Sequence, residues 1–179
     1  MSENLGTGSI TIAPFKSVAL LQKAHIFSHV ISILGPRDGL EFPNIKAPHI
    51  LRLNFDDVGY TSEFGRAASQ DEISELIKFA RSWAGAGNLL IHCKAGTSRS
   101  PAAALISIAS INVSGKDQIL RKIIALRNYY RPNSSMLRIA DQLLGESTLY
   151  ELVRTSPRLS DPQSNSHATI YLGNHFMTG

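Results

Sequence analysis

Residues 88–111, NLLIHCKAGTSRSPAAALISIASI, constrain the fold more than any other stretch of this chain. A short apolar run, NLLIH, leads into a turn rich in Gly, Ser and Thr. AAALISIASI follows, apolar on nearly every side of a helix. A helix without a polar face belongs in the middle of a domain, and a continuously apolar strand belongs in a sheet covered on both faces. Ser100-Pro101 marks where the helix opens, because the N–H that proline lacks is not needed in a first turn. The unit therefore predicts helices layered on a sheet, with this strand and this helix near the centre.

The rest of the chain agrees. SITIAPF and HVISIL read as strands with a helix at about Ser17 to Ala24 between them, and HILRLNF reads as a third strand. The segment 35–48 is rich in Gly and Pro and reads as a loop. Ser69 and Glu72 form a capping box ahead of Ile73, Leu76, Ile77 and Ala80, which share one helix face; Gly85 or Gly87 is the expected stop. Two amphipathic helices follow, near Lys116 to Leu126 and Ser134 to Leu144. Alternation of strands and helices predicts an α/β fold with a central, mostly parallel sheet of four to five strands flanked by helices. A chain of 179 residues suits one such domain, read as residues 1–155. Residues 156–179 read as a Ser/Pro/Asn-rich C-terminal tail, in which ATIYLGNHF either adds an edge strand or stays without structure.

Composition excludes several functions. The net charge of +4 favours anionic substrates, yet there is no block of basic residues and no interleaving of aromatics with Arg or Lys, so a nucleic-acid groove is not expected. No apolar stretch is long enough to span a bilayer, and MSENLGTGSITIAPF lacks the basic start and apolar run of a secretory signal. The single cysteine cannot form an internal disulfide, so a cytoplasmic, reducing location is expected. No cluster of His, Cys or Asp has metal-ligand spacing, and neither a metal nor a cofactor is implied.

That single cysteine, Cys93, stands where the strand gives way to the turn. A loop that ends a strand and opens a helix aims its N–H groups at one point, and the helix dipole adds positive potential there. Such a cradle binds a tetrahedral oxyanion and stabilises a thiolate, making the sulfur a nucleophile near neutral pH. Arg99 brings a permanently charged fork that grips two phosphate oxygens, and Gly96 lets the backbone curl closely around the ligand. The amides of Lys94, Ala95, Gly96, Thr97, Ser98 and Arg99 are the candidate anion receptors. Ser100 is placed to hydrogen-bond the thiolate as the phosphoryl group leaves, and His92 to tune Cys93 through backbone hydrogen bonds rather than act as a base. Phosphoryl transfer also needs a proton for the departing oxygen. NFDDVG offers two carboxylic acids at the end of a strand, Asp56 and Asp57.

HCKAGTSRS resembles the signature loop of the cysteine-dependent protein phosphatases, His-Cys-x5-Arg-Ser/Thr. The chain is similar to the compact, bacterial-type dual-specificity-like branch of that superfamily over most of residues 8–145. RLNFDD resembles the general-acid loop of this branch, including the Phe-Asp-Asp of the regenerating-liver phosphatases. YYRPNSSMLRIADQLL resembles the Arg-x-Pro-Asn helix start that follows the signature in dual-specificity enzymes. The resemblance implies a dual-specificity-phosphatase-like fold and hydrolysis of a phosphate monoester through a phosphocysteine. It favours Asp57 as the general acid, with Asp56 in reserve for that role or else flanking the site or orienting the loop.

Order along the chain separates lookalikes. Low-molecular-weight tyrosine phosphatases carry their signature near the N-terminus, rhodanese-like sulfurtransferases have a loop one residue shorter, and a Walker loop needs the Gly-Lys-Ser/Thr that KAGTSRS lacks. Three readings stay open: a phosphatase of phosphotyrosine proteins, with phosphoserine and phosphothreonine as further substrates; a phosphatase of inositol phosphates, nucleotides or other small phosphate esters; and a catalytically silent phosphate-binding module. Lys94 either sits solvated at the rim or attracts a more anionic substrate. Thr97 stands where phosphoinositide phosphatases carry a second basic residue, which weakens a lipid reading. Tyr60, Phe64 and Arg66 either line the entrance or are ordinary loop residues, and Arg131 and Asn133 either support the loop or simply form a helix-starting turn.

Overall fold

The computed structural model describes residues 8–126, 131–145, 148–156 and 167–172. Its core is a five-stranded sheet in the order β3-β2-β4-β1-β5, built from β1 (Ser9–Pro14), β2 (His29–Ile33), β3 (His49–Leu53), β4 (Asn88–Cys93) and β5 (Ala168–Tyr171). The first four run parallel, and β5 pairs antiparallel with β1. Parallel strands all end at the same edge of the sheet. The turns after β1, β2, β3 and β4 therefore converge there, which is where ligands of open α/β sheets are bound.

The expected central unit is in place. In β4, Leu89, Leu90, Ile91 and His92 are fully buried. The following helix α3 (Arg99–Ala109) is buried from Arg99 through Ile108. It packs on β1 and β4 on one side and on three amphipathic helices on the other, α2 (Gln70–Trp83), α4 (Lys116–Ala125) and α5 (Ser134–Leu144). Its lack of a polar face is thus explained by neighbours all round. Alternate residues of the strands point the other way. Ala13, Val30 and Leu90 form a smaller apolar cluster with Val18 and Leu21 of α1 (Val18–Ala24), on the opposite face of the sheet.

Two local readings need correction. Helix α2 starts at the expected capping box, with Ser69 Oγ accepting from Glu72 N–H at 3.2 Å and Glu72 Oε2 accepting from Ser69 N–H at 2.9 Å. It stops at Ala84, not at a glycine: this alanine adopts φ +51° and its N–H still closes onto Ala80 O at 2.9 Å. Gly85 and Gly87, at φ +80° and +74°, continue the turn into β4. Beyond α5, a further helix α6 (Leu149–Thr155) was not expected. Its first N–H groups are capped from a distance, Leu149 and Tyr150 donating to the two carboxylate oxygens of Asp141 at 2.9 and 3.0 Å.

Within the stretch read as a tail, Ala168–Tyr171 takes the edge-strand option, with Thr11 and Thr169 hydroxyls 2.9 Å apart across the pair. The remainder of that stretch, residues 157–166 and 173–179, lies outside the described residues, as do Tyr129 and Tyr130 of the YYRPN segment. No helix among the described residues is long and apolar enough to cross a membrane.

Of the two capping-box bonds only the one accepted by Ser69 Oγ uses the serine side chain; the Ser69 backbone N–H keeps its bond to Glu72 in an alanine variant. We expect Ser69→Ala to lower the stability of the domain by about 1 kcal/mol, read as a shift in the urea midpoint at unchanged slope.

Candidate active site

Four turns meet at the C-terminal edge of the sheet, and they carry nearly all of the candidate residues. Cys93 ends β4 and is 1% exposed. Its Sγ accepts the N–H of Gly96 at 3.2 Å, so the loop 94–98 folds back over the sulfur. Gly96 makes this possible. It adopts φ +74°, and a Cβ there would lie 2.5 Å from Pro14 N and 2.8 Å from Ala13 C at the end of β1. The loop is also stitched to β1 by Phe15 N–H donating to Lys94 O at 3.1 Å. Ala95 is exposed, and Thr97 and Ser98 are half-buried on the outer turn of the loop.

Arg99 opens α3 and is 2% exposed. A guanidinium this deep requires partners. Nη1 donates to Phe55 O at 2.8 Å, and Nη2 pairs with Asp38, 3.0 Å from Oδ1 and 2.8 Å from Oδ2. Nε of Arg99 and the hydroxyl of Ser100 are both buried without a protein partner. The side chain is therefore held from two sides while one charged donor stays uncommitted, which is the arrangement an oxyanion receptor needs.

Asp38 was missed by the sequence reading, which saw only a Gly/Pro-rich loop. It closes a 3-10 turn, Pro36–Asp38, in which Gly35 N–H donates to Asp38 Oδ2 at 2.7 Å. Lys94 Nζ donates to the carbonyl of the same residue at 3.0 Å, so the lysine leans toward this turn. The signal that points to Asp38 is tertiary. A buried arginine at the start of α3 calls for a carboxylate from another turn at the same sheet edge.

The adjacent carboxylates Asp56 and Asp57 have opposite surroundings. Asp56 is 5% exposed and fully engaged: Oδ1 accepts from Arg37 N–H and Oδ2 from Arg66 N–H, each at 2.9 Å. Two glycines make room, since a Cβ on Gly35 would lie 2.3 Å from Asp56 Oδ1 and one on Gly65 would lie 3.0 Å from Asp56 Cβ. Burial opposes its ionisation, and the backbone donors of Arg66 and Arg37 with the charges of Arg37 and Arg99 outweigh it. The carboxyl is held below its ordinary range. Asp56 thus ties the turn after β2 to the segment after β3. Asp57 is exposed and faces the signature loop. Its Oδ1 accepts from Ser98 Oγ at 2.7 Å and from Asn133 Nδ2 at 2.9 Å.

Asn133 is both of the things its position suggested. As N-cap of α5 it accepts from Met136 N–H at 3.1 Å, and its own N–H donates to Ser98 O at 3.2 Å. Arg131 N–H donates to Thr97 O at 2.6 Å. A cleft of about 500 Å³ runs between Asp57–Gly59, Thr97–Ser98 and Arg131–Ser134. Tyr60 and Phe64 stand in solvent beyond it, 75% and 70% exposed, and the Arg66 guanidinium is paired with Glu72 at 2.8 Å.

No family model matches the chain, and no curated protein matches it. Solved structures do match. The crystal structure of DUSP15 aligns with a TM-score of 0.53 at 21% identity, over 86% of this chain and 94% of that one. That of human tyrosine phosphatase-like serine/threonine/tyrosine-interacting protein aligns with a TM-score of 0.54 at 18% identity, over 82% and 93%. At these identities the likeness is one of fold, and the fold is the dual-specificity-phosphatase-like α/β architecture that the signature implied.

His92, fully buried beneath the loop and edge-on to Phe15, makes no well-formed side-chain hydrogen bond. Burial pushes its pKa down from 6.5 to about 4, opposed in part by the Cys93 backbone. The unfolded chain therefore takes up this proton first, and the stability present above pH 6.5 is lost as the pH falls toward 4. His29, lowered by burial and by the neighbouring His49, acts in the same sense. We expect unfolding free energy to fall between pH 6.5 and 5 with a slope approaching about 1.4 kcal/mol per pH unit from His92, and His92→Gln to flatten it. An NMR titration showing His92 ionising at its ordinary value in the folded protein counts against this.

Proposed function

We propose that the chain is a phosphatase that hydrolyses phosphate monoesters through a phosphocysteine, with phosphotyrosine on proteins as its main substrate class. The observation that carries this reading is the convergence of three groups at one sheet edge. These are a sulfur receiving a loop N–H, an anchored guanidinium with a free Nε, and an exposed carboxyl facing the same loop.

In this reading Cys93 Sγ attacks phosphorus as the thiolate and the P–O bond to the leaving group breaks. The negative charge of the equatorial oxygens is met by Arg99 and by the amides of the 94–99 loop. Asp57 gives its proton to the departing oxygen, then takes one from the water that cleaves the phosphocysteine. Ser100, buried with an unused hydroxyl, donates to the sulfur as phosphate leaves. His92 stays neutral beneath the loop. No step calls on a metal, because nucleophile, anion receptor and acid are all supplied by the chain.

The depth of the nucleophile supports an aryl substrate. At 1% exposure Cys93 lies below the rim, so a phosphotyrosine reaches it more readily than the shorter phosphoserine or phosphothreonine. Lys94 is engaged with the Asp38 carbonyl, and Thr97 is uncharged, which supports a protein substrate over a polyanionic lipid headgroup. One of the aligned structures is described as tyrosine phosphatase-like, so fold alone does not decide between catalysis and silent binding. The coexistence of Cys93, Arg99 and Asp57 supports catalysis. A nucleophile that must stay reduced also fits a cytoplasmic setting.

The test is phosphate release from phosphotyrosine peptides in the presence of EDTA. We expect turnover by the wild type, none by Cys93→Ser, and a loss of about 100-fold or more in kcat for Asp57→Asn. Phosphopeptide binding without release would favour the silent module, and higher kcat/KM on small esters would favour the second substrate class. Asp38→Asn removes the charge opposite Arg99, and we expect it to weaken vanadate binding about tenfold or more by calorimetry.

A further inference from the structure

Asp57 sits on an irregular segment, residues 54–61, and is exposed. Nothing in its own strand fixes its side chain, yet an acid must present one particular oxygen to the leaving group. We propose that Asn133, with Ser98, is a positioning clamp that selects Asp57 Oδ2 as the proton-carrying oxygen. The proposal rests on the reading of Asp57 as the acid.

The orientation of the Asn133 amide follows from its cap. Its Oδ1 accepts the Met136 N–H at 3.1 Å, so the other terminal atom must be the nitrogen. That Nδ2 donates to Asp57 Oδ1 at 2.9 Å and to Val58 O at 3.4 Å. Ser98 Oγ donates to the same Oδ1 at 2.7 Å. A proton on Oδ1 would have to reverse the Ser98 bond, whereas one on Oδ2 keeps both donors on Oδ1, so Oδ2 is the favoured seat of the acidic proton. When Oδ2 gives its proton away, the charge that develops on the carboxylate is already met on Oδ1.

The clamp also ties the acid to the phosphate site. Asn133 N–H donates to Ser98 O at 3.2 Å, and Arg131 N–H donates to Thr97 O at 2.6 Å, so the start of α5 and the signature loop hold one another. Asp57 is thereby registered against the loop that would hold phosphorus, and not only against the end of β3. Asn133 acts through Asp57 and is a positioning residue, not a catalytic one.

The test uses Asn133→Ser, which keeps an oxygen able to cap α5 and loses the Nδ2 donor. Turnover is measured on aryl phosphates whose leaving phenols run from strongly acidic to tyrosine-like, with a pKa of about 10. An acidic phenol needs little protonation to depart, so the two extremes isolate the acid. We expect Asn133→Ser to lower kcat about tenfold with the tyrosine-like phenol, the loss shrinking several-fold as the phenol becomes more acidic. In the double variant with Asp57→Asn, the Asn133 substitution should add nothing further. Ser98→Ala, which leaves the α5 cap untouched, should show the same dependence on the phenol. A loss equal across all phenols, or one that persists on top of Asp57→Asn, overturns the clamp while leaving the phosphatase reading standing. Absence of wild-type turnover on every ester sinks the phosphatase reading and the clamp with it.

Discussion

A buried guanidinium is the constraint around which this site is organised. Arg99 begins the central helix and lies almost wholly inside the protein, where an uncompensated charge would cost several kcal/mol. Its compensation comes from two other turns, Asp38 after β2 and the Phe55 carbonyl after β3. Those turns are in turn joined by Asp56, which accepts N–H groups from Arg37 and Arg66. The loop after β4, the Gly-Pro-Arg-Asp turn and the segment after β3 thus form one hydrogen-bonded body around the charge. Removing any one partner leaves the others with an unpaired polar group in a dry place.

The two neighbouring aspartates show how environment divides labour between identical side chains. Asp56 has both oxygens saturated by backbone donors and is packed against two glycines, so it holds the frame and has no proton to offer. Asp57, one residue on, turns outward and receives donors on one oxygen only. Beyond the end of β3 the backbone turns at this pair, Val58 N–H donating back to Asp56 O at 3.0 Å. One carboxylate lies in the scaffold and the other at the cleft.

What could be read from the sequence was what is local. Strands β1 to β4, the capping box of α2, the start of α5 and the apolar helix α3 follow from periodicity and from residues within one turn of the boundary. The signature loop was legible for the same reason, since Cys93, Gly96 and Arg99 lie within seven residues. Two of the misses are non-local. Helix α6 is capped by Asp141, eight residues before Leu149, so no motif announces it. Asp38 lies 61 residues from Arg99, and its role emerges only when parallel strands bring their ends together. The stop of α2 at Ala84 shows the other limit: a non-glycine in the left-handed region is tolerated where flanking glycines carry the rest of the turn.

Strand β5 closes the side of the sheet that β1 would otherwise leave open, and it follows the other four strands and the signature loop along the chain. On a ribosome the four parallel strands and the whole signature loop are synthesised before their final neighbour exists. During that interval β1 presents a bare row of backbone groups, a template on which another nascent chain can pair. The site is therefore complete in sequence before its scaffold is protected, and the closing strand acts as a late guard against sticking.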